Sequence, residues 1–341
     1  MSEDLKPALA SLRDGERPDG AALDIAFAAI LGGFATPSQI GAFLIGLERI
    51  GVDGAMIHAG AKAMRANMVP VSPTVSCVDV CGTGGDGSHT LNISTAVSFV
   101  LAGCGLNVAK HGNRAMSSTS GAADVLEALG VNLTTTPDVI AKAIDQIGVG
   151  FIFAQAHHPA MAHVAATRRE LGFRTIFNML GPLSNPARAS RQLVGVYSAD
   201  KILPMAEALR LLECEAAWVV HGDGVLDEIA LSGPSQIAAL SKGAIETFEI
   251  TPEDAGLTRA PLSALKGGDA AHNANALRAL LAGEHGPYRD SVSLNAAAAL
   301  VAFSEADTLI DGVAIAQDAL DSGRANQALQ GLIAITNGQR T

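Results

Sequence analysis

The chain has 341 residues, 48% of them hydrophobic and 17% charged, enough to bury a large core and to form two domains. Its formal charge of -11 lacks the basic surface that nucleic acid requires, but is compatible with a phosphorylated small molecule held by local amides, a few cations and Mg²⁺. No apolar run approaches the roughly 20 residues of a bilayer span, and the acidic start Met1-Ser2-Glu3-Asp4-Leu5-Lys6 lacks the basic and apolar parts of a secretory signal, so a cytoplasmic enzyme without membrane or nucleic-acid partners is expected.

The first seventy residues read as helical. Ile40, Phe43, Leu44 and Leu47 fall at i, i+3, i+4 and i+7, Pro37 sits near that helix's start, and 21–31 and 54–67 are alanine-rich. Pro70-Val71-Ser72-Pro73 marks a linker. Beyond it, strand candidates at 77–81, 106–109, 149–154, 193–197 and 217–221 alternate with helical stretches, which predicts an α/β domain with a mostly parallel central sheet. The stretch 159–183 follows a strand and reads as helical until Gly181-Pro182, and pattern alone does not place it. The cysteines, Cys77, Cys81, Cys104 and Cys214, contain no C-x-x-C pair and are expected as buried free thiols.

The segment from Val78 to Glu127 carries the chemistry. A strand feeds the turn Gly82-Thr83-Gly84-Gly85-Asp86-Gly87, a helix opens at Asn92-Ile93-Ser94-Thr95, and a second strand ending at Ala109 leads into Lys110-His111-Gly112-Asn113-Arg114. Glycines let bare N–H groups approach phosphate oxygens, and a helix N-terminus adds unpaired donors, so a highly anionic ligand is expected there. Ser117-Ser118-Thr119-Ser120-Gly121 adds hydroxyls to close over phosphate, with Ser120 able to cap the following helix and Gly130 able to end it. The turn also matches G-x-G-x-x-G, but the position where a dinucleotide fold needs an acidic residue carries Lys110-His111, which disfavours NAD and leaves an NADP variant or a turn serving packing alone as alternatives. Asp227-Glu228 follows a strand at the same predicted edge and suits Mg²⁺, the alternative being a solvated acidic turn. His157-His158 point to opposite sides of an extended chain and suit a pocket wall or hydrogen bonds rather than zinc.

Together, the motifs at 82–87, 92–95, 110–114, Ala-Asp-Val-Leu-Glu-Ala-Leu-Gly at 123–130 and Phe-Asn-Met-Leu-Gly-Pro-Leu-Ser-Asn-Pro at 177–186 resemble the anthranilate phosphoribosyltransferase family. Gln39 to Leu44, Asp227-Glu228 and Ser293 to Ala297 extend the resemblance over essentially the whole chain. It implies a nucleoside phosphorylase/phosphoribosyltransferase-like fold, with a small all-helical N-terminal domain of 1–72 plus 159–183 and a large α/β domain of 73–158 plus 184–341. The implied reaction transfers the phosphoribosyl group of phosphoribosyl pyrophosphate to the amine of anthranilate, in tryptophan biosynthesis. By motif, Gly82, Gly85, Asp86, Thr90, Asn92, Ile93, Thr95, Lys110, His111, Gly112, Asn113, Arg114, Ala115, Met116, Ser117, Ser118 and Ala122 would hold the pyrophosphate and ribose phosphate. Ser94, Asp227 and Glu228 would serve Mg²⁺, Asn113 and Arg168 would receive anthranilate, and Lys110, Asn113 and Arg168 would act directly in catalysis. Ala122 stands where many relatives have serine, and Ala166-Thr167 precedes Arg168 where Pro-Val is common. A homodimer through the helical domain is implied, with Phe43 or Leu47 as candidate contacts. Two rivals fit less well. A pyrimidine nucleoside phosphorylase would carry a Lys-His-Ser-Thr-Gly-Gly type loop, absent here, and a noncatalytic nucleic-acid-binding relative would need a basic cleft.

Overall fold

The computed structural model describes residues 5–115 and 119–339. Four helices come first: α1 (Lys6–Arg13), α2 (Gly20–Leu31), α3 (Pro37–Ile50) and α4 (Gly54–Ala66). Asp19, Thr36 and Asp53 cap three of them by accepting backbone N–H bonds, and Thr36 forms a reciprocal capping box with Gln39 while Pro37 occupies the first helical turn.

Strands and helices then alternate as β1 (Val78–Gly82), α5 (Ile93–Gly103), β2 (Val108–Gly112), α6 (Ala122–Leu129), α7 (Pro137–Ile147), β3 (Val149–Phe153), α8 (Ala154–His157), α9 (Ala162–Leu171) and α10 (Phe177–Leu180). They continue through β4 (Arg191–Gly195), α11 (Ile202–Leu211), β5 (Ala216–Gly222), β6 (Ser235–Ser241), β7 (Ala244–Ile250), α12 (Ala270–Leu281), α13 (Pro287–Ala302), α14 (Leu309–Asp321) and α15 (Arg324–Thr336). Among the described residues these strands form one seven-stranded sheet in the order β3-β2-β1-β4-β5-β6-β7. The first five are parallel and the last two antiparallel.

Two differences from the sequence reading matter. The β6–β7 hairpin was not foreseen: its turn is Lys242-Gly243, both at positive φ, which twists as hairpins require but lacks the Asn-Gly or Asp-Gly signature. The second strand runs on to Gly112 rather than ending at Ala109, because parallel pairing to β3 continues through His111↔Ile152 and Gly112↔Phe153. Lys110 and His111 are therefore strand residues on opposite faces of the sheet.

Each face has its own core. Val78, Val80, Val108 and Trp218 pack with α5, α6 and α12 to α15. Cys81, Val194, Val219 and Ala238 share a core with α1 to α4, α10 and α11. The stretch that pattern could not place joins the second core: α9 packs on α2 and α3, and Phe177 meets Phe27 edge-on at 6.3 Å. Phe43 and Leu47 are fully buried there, so they are not available for a partner; Ile25 of α2, Ile45 of α3 and Phe34 in the connection between them are large exposed apolar residues.

The strand order turns back on itself between β2 and β4, with β1 paired to both. In open parallel sheets, ligands bind outside the carboxyl ends of strands at such a switch point.

Candidate active site

At that edge, β1, β4 and β5 end in glycines, Gly82, Gly195 and Gly222. A Cβ added to Gly195 would lie 1.6 Å from the Asp227 carbonyl oxygen, one on Gly82 2.3 Å from the Asp227 carboxylate, and one on Gly222 2.4 Å from the Glu228 carbonyl oxygen. The Asp227-Glu228 segment thus lies directly on three strand ends, its backbone at Gly195 and Gly222 and the Asp227 carboxylate at Gly82, closer than any side chain permits. Asn295 of α13 holds the next residue by both backbone groups, accepting from the Ile229 N–H and donating to the Ile229 carbonyl, each at 2.9 Å.

Both carboxylates reach backbone donors. Asp227 Oδ2 accepts from the Gly84 N–H at 2.6 Å, and Glu228 Oε1 accepts from the Ser94 N–H at 3.1 Å, in the first turn of α5. Burial pushes both carboxyl groups well above the ordinary range, and neighbouring charge adds to it: Asp86 acts on Asp227, and Asp227 on Glu228, while Lys110 partly opposes the effect at Glu228. Crowded carboxylates with insufficient local counter-charge suit a hard divalent cation. Among the described residues no group of three or more His, Cys, Asp or Glu could enclose a metal alone, so a Mg²⁺ ion held by Asp227 and Glu228 would complete its octahedron with ligand or water oxygens. Ser94 stands beside Glu228 through both its amide and its hydroxyl.

The glycine turn is only partly the row of bare amides expected from sequence. The Thr83 N–H donates to the Gly195 carbonyl at 2.9 Å and the Gly84 N–H is taken by Asp227. The amides of Gly85, Asp86 and Gly87 find no partner among the described residues, with Gly84, Gly85 and Gly87 all at positive φ. Asp86 accepts from the amide and hydroxyl of Ser88. Thr90 bridges to Lys266, and the Leu91 N–H donates to the Leu265 carbonyl, which pins the approach to α5. Asn92 does not cap α5; its side chain joins the Ser120 carbonyl to Asn273. Ile93 and Thr95 are buried, offering a ligand their helix-terminal amides.

At the end of β2 the predicted residues separate. Lys110 is buried, donates to the His111 carbonyl, and its charge acts on both Asp79 and Glu228. His111 donates its N–H to Asp79, while its ring faces the Gly181 carbonyl and packs 5.1 Å from His158. The two side chains leave opposite faces of β2, and their one link is the bond from Lys110 Nζ to the His111 carbonyl. Arg114 pairs with Asp124 at 2.9 Å and Glu127 at 2.8 Å, which ties it to α6. Asp124 also accepts from Ala115 and Gly121 amides, and α6 is capped at Gly121, not at Ser120. Gly112 and Ala122 pack against each other, and the Asn113 side chain accepts from the Arg114 N–H. Met116, Ser117 and Ser118 lie outside the described residues.

On the helical side, Arg168 of α9 is half-buried over Phe177, with only a 3.4 Å bond to Asn178 and no carboxylate partner among the described residues. Cys81 is buried beside Asp79, and burial raises its thiol well above the ordinary value, which disfavours the reactive thiolate. Concavities of about 290 and 300 Å³ lie elsewhere, between α2 and α4 and beneath Pro70–Cys77, and include none of these residues.

Comparison with known proteins decides the lineage. Residues 6–68 match the helical bundle domain of a glycosyl transferase family and residues 74–326 its a/b domain. Anthranilate phosphoribosyltransferases of Parvibaculum lavamentivorans and Caulobacter vibrioides are each 53% identical to the chain; the first match covers 98% of both chains, the second 99% of this chain and 98% of the relative. The crystal structure of anthranilate phosphoribosyltransferase from Thermus thermophilus superposes with a TM-score of 0.93 at 42% identity, covering 97% of this chain and all of that one. The chain belongs to the anthranilate phosphoribosyltransferase family. It is a pentosyl transferase of tryptophan biosynthesis that moves the phosphoribosyl group from phosphoribosyl pyrophosphate to the amine of anthranilate, with Mg²⁺ as cofactor. The Saccharomyces cerevisiae anthranilate phosphoribosyltransferase solved with phosphoribosyl pyrophosphate and Mg is 26% identical, with a TM-score of 0.87 over 98% of this chain and 99% of that one.

Sequence reasoning missed several residues that shape this site. Gly195 and Gly222 sit at ordinary strand φ, so no turn signal marks them; their role is space. Asn273, Asn295 and Asp79 act through long-range hydrogen bonds that no local pattern encodes.

Proposed function

We propose that the transfer takes place at the carboxyl edge of β1, β4 and β5, with the pyrophosphate of phosphoribosyl pyrophosphate lying against the free amides of Gly85, Asp86 and Gly87 and the first turn of α5. One observation carries this reading. Asp227 and Glu228, seated on three strand-end glycines, each accept an N–H from one wall of that cradle, Gly84 and Ser94. Bound there, Mg²⁺ would neutralise charge that develops on the departing pyrophosphate. Lys110 and the cradle amides stabilise the same charge, already oriented before the bond breaks.

Arg168 receives the anthranilate carboxylate, consistent with a half-buried guanidinium that lacks an acidic partner. The aromatic amine is neutral near pH 7 and already nucleophilic, so neither a strong base nor a covalent intermediate is required, and positioning supplies much of the rate. The helical part comprises residues 1–72 with 159–183, since α9 and α10 share the core of α2 to α4. A homodimer through Ile25, Phe34 and Ile45 and a cytoplasmic location complete the reading; no helix among the described residues is long and apolar enough to cross a membrane.

The test follows Mg²⁺-dependent loss of anthranilate fluorescence in Asp227→Asn, Glu228→Gln and Cys81→Ser variants. The first two should lose far more rate than the third. Comparable losses in all three would overturn the metal assignment.

A further inference from the structure

Arg174, in the connection between α9 and α10, belongs to no motif singled out from sequence. It is exposed, yet its guanidinium stacks 4.4 Å from the Tyr197 ring centroid and its Nη2 donates to the Gly85 carbonyl. Tyr197 follows β4, and its own N–H donates to Thr83 Oγ1 at 3.1 Å. The glycine turn is therefore tied at three consecutive residues: Thr83 to Tyr197, Gly84 to Asp227, and Gly85 to Arg174.

We infer that Arg174 is a positioning residue for the phosphoribosyl pyrophosphate cradle, reaching across from the segment that also carries Arg168. Gly84 and Gly85 both lie at positive φ, where glycine moves between backbone basins at little cost, so the turn's own sequence does not fix its peptide planes. A peptide unit is planar and trans, with its C=O and N–H antiparallel. Holding the Gly85 carbonyl towards Arg174 thereby aims the Asp86 N–H away from Arg174 and Tyr197. Tyr197 keeps the guanidinium in place: stacking on an aromatic face orients the planar fork without occupying its donors. Arg168 and Arg174 are linked within one segment, because Asn178 Oδ1 accepts from Arg168 and from the Thr175 N–H at 3.0 Å. The part of the protein that receives the acceptor thus also shapes the donor cradle.

The inference rests on the glycine turn holding the pyrophosphate, and the experiment separates the two. Michaelis constants for both substrates, equilibrium binding of phosphoribosyl pyrophosphate with Mg²⁺, and melting temperatures are measured for Arg174→Ala, Arg174→Lys, Tyr197→Leu and Gly87→Val. Gly87 has open space around it but φ +78, so valine strains the turn without touching Arg174. Arg174→Ala should raise the Michaelis and dissociation constants for phosphoribosyl pyrophosphate about fivefold, the worth of one hydrogen bond, with those for anthranilate and the melting temperature unchanged. Tyr197→Leu should act in the same direction, and Arg174→Lys should restore part of the loss. If Gly87→Val weakens binding while Arg174→Ala does not, or Arg174→Ala affects both substrates equally or only lowers the melting temperature, the positioning role is wrong. If neither variant weakens binding, the cradle reading falls with it.

Discussion

Replacing Gly195 by alanine is the sharpest test of how the acid pair is held. The new Cβ would sit 1.6 Å from the Asp227 carbonyl oxygen, whereas Cβ atoms essentially never approach within 3.0 Å, so the two must separate by at least 3.0 − 1.6 = 1.4 Å. The strand cannot take up that movement, because β4 is paired to β1 on one side and β5 on the other. The Asp227 backbone has to move. Its carboxylate then leaves the Gly84 N–H, and the strain passes to the Asn295 clasp on Ile229. Misplacing catalytic groups by 1 Å costs on the order of 10²-fold in rate, roughly 2.7 kcal/mol of activation free energy. Gly82→Ala meets the carboxylate itself at 2.3 Å and should do similar damage with less disturbance of the backbone. The assay is kcat/KM from anthranilate fluorescence across a Mg²⁺ titration, with Gly20→Ala, at an open position in α2, as the control. A Gly195→Ala enzyme with unaltered kcat/KM and Mg²⁺ requirement would refute the reasoning.

The raised carboxyl groups of Asp227 and Glu228 set a pH dependence. The folded protein holds their protons more tightly than the unfolded chain, so their contribution to stability is fullest in acid and is lost as pH rises from about 4 through the raised folded values. Mg²⁺ favours the ionised pair and should therefore raise the melting temperature more at alkaline than at acidic pH, and Asp227→Asn should shrink that difference; equal metal effects at both ends would contradict it. Arg168→Ala removes a charge-assisted contact worth about 1.5–3 kcal/mol and should raise the Michaelis constant for anthranilate above that for phosphoribosyl pyrophosphate, the reverse ranking meaning that the acceptor lies elsewhere. Asn295→Ala leaves the buried Ile229 amide and carbonyl unpaired, and urea denaturation should show a loss of about 2–4 kcal/mol; a loss below 1 kcal/mol would mean that water replaces the clasp.

What the sequence made legible was local. Ile40, Phe43, Leu44 and Leu47 announced a helix face, and Pro37 its first turn, because both signals act within a few residues. The five parallel strands were visible as apolar runs, since strands buried on both faces need no alternation. The β6–β7 pair escaped because its turn uses Lys242-Gly243 and its outer strand carries Glu246 and Glu249, a polar edge that blunts the apolar signal. In the site, motif residues gave the glycine turn and the acid pair, but not which amides remain open. Thr83 and Gly84 spend theirs on β4 and on Asp227, partners more than a hundred residues away. Arg114 reads as a phosphate ligand from its motif, while its pairing with Asp124 and Glu127 of α6 is a tertiary contact the motif does not announce.

The proposed site would let a chain with a formal charge of -11 hold a polyanion. Long-range attraction works against it, so on the proposed binding mode recognition would be built from short-range parts: three amides of the glycine turn, the first turn of α5, and Lys110, whose charge acts on both Asp79 and Glu228. Asp86 acts on Asp227 and Asp227 on Glu228, so at the proposed site these acids would oppose a polyanion unless a divalent cation neutralised them. Coulomb energy grows as charges close to contact distance and is screened beyond a Debye length of about 8 Å, so the cation's gain at the acid pair outweighs the dispersed surface charge. Binding of phosphoribosyl pyrophosphate should accordingly depend steeply on Mg²⁺ and only weakly on monovalent salt, the opposite of a protein that captures anions through an exposed basic field.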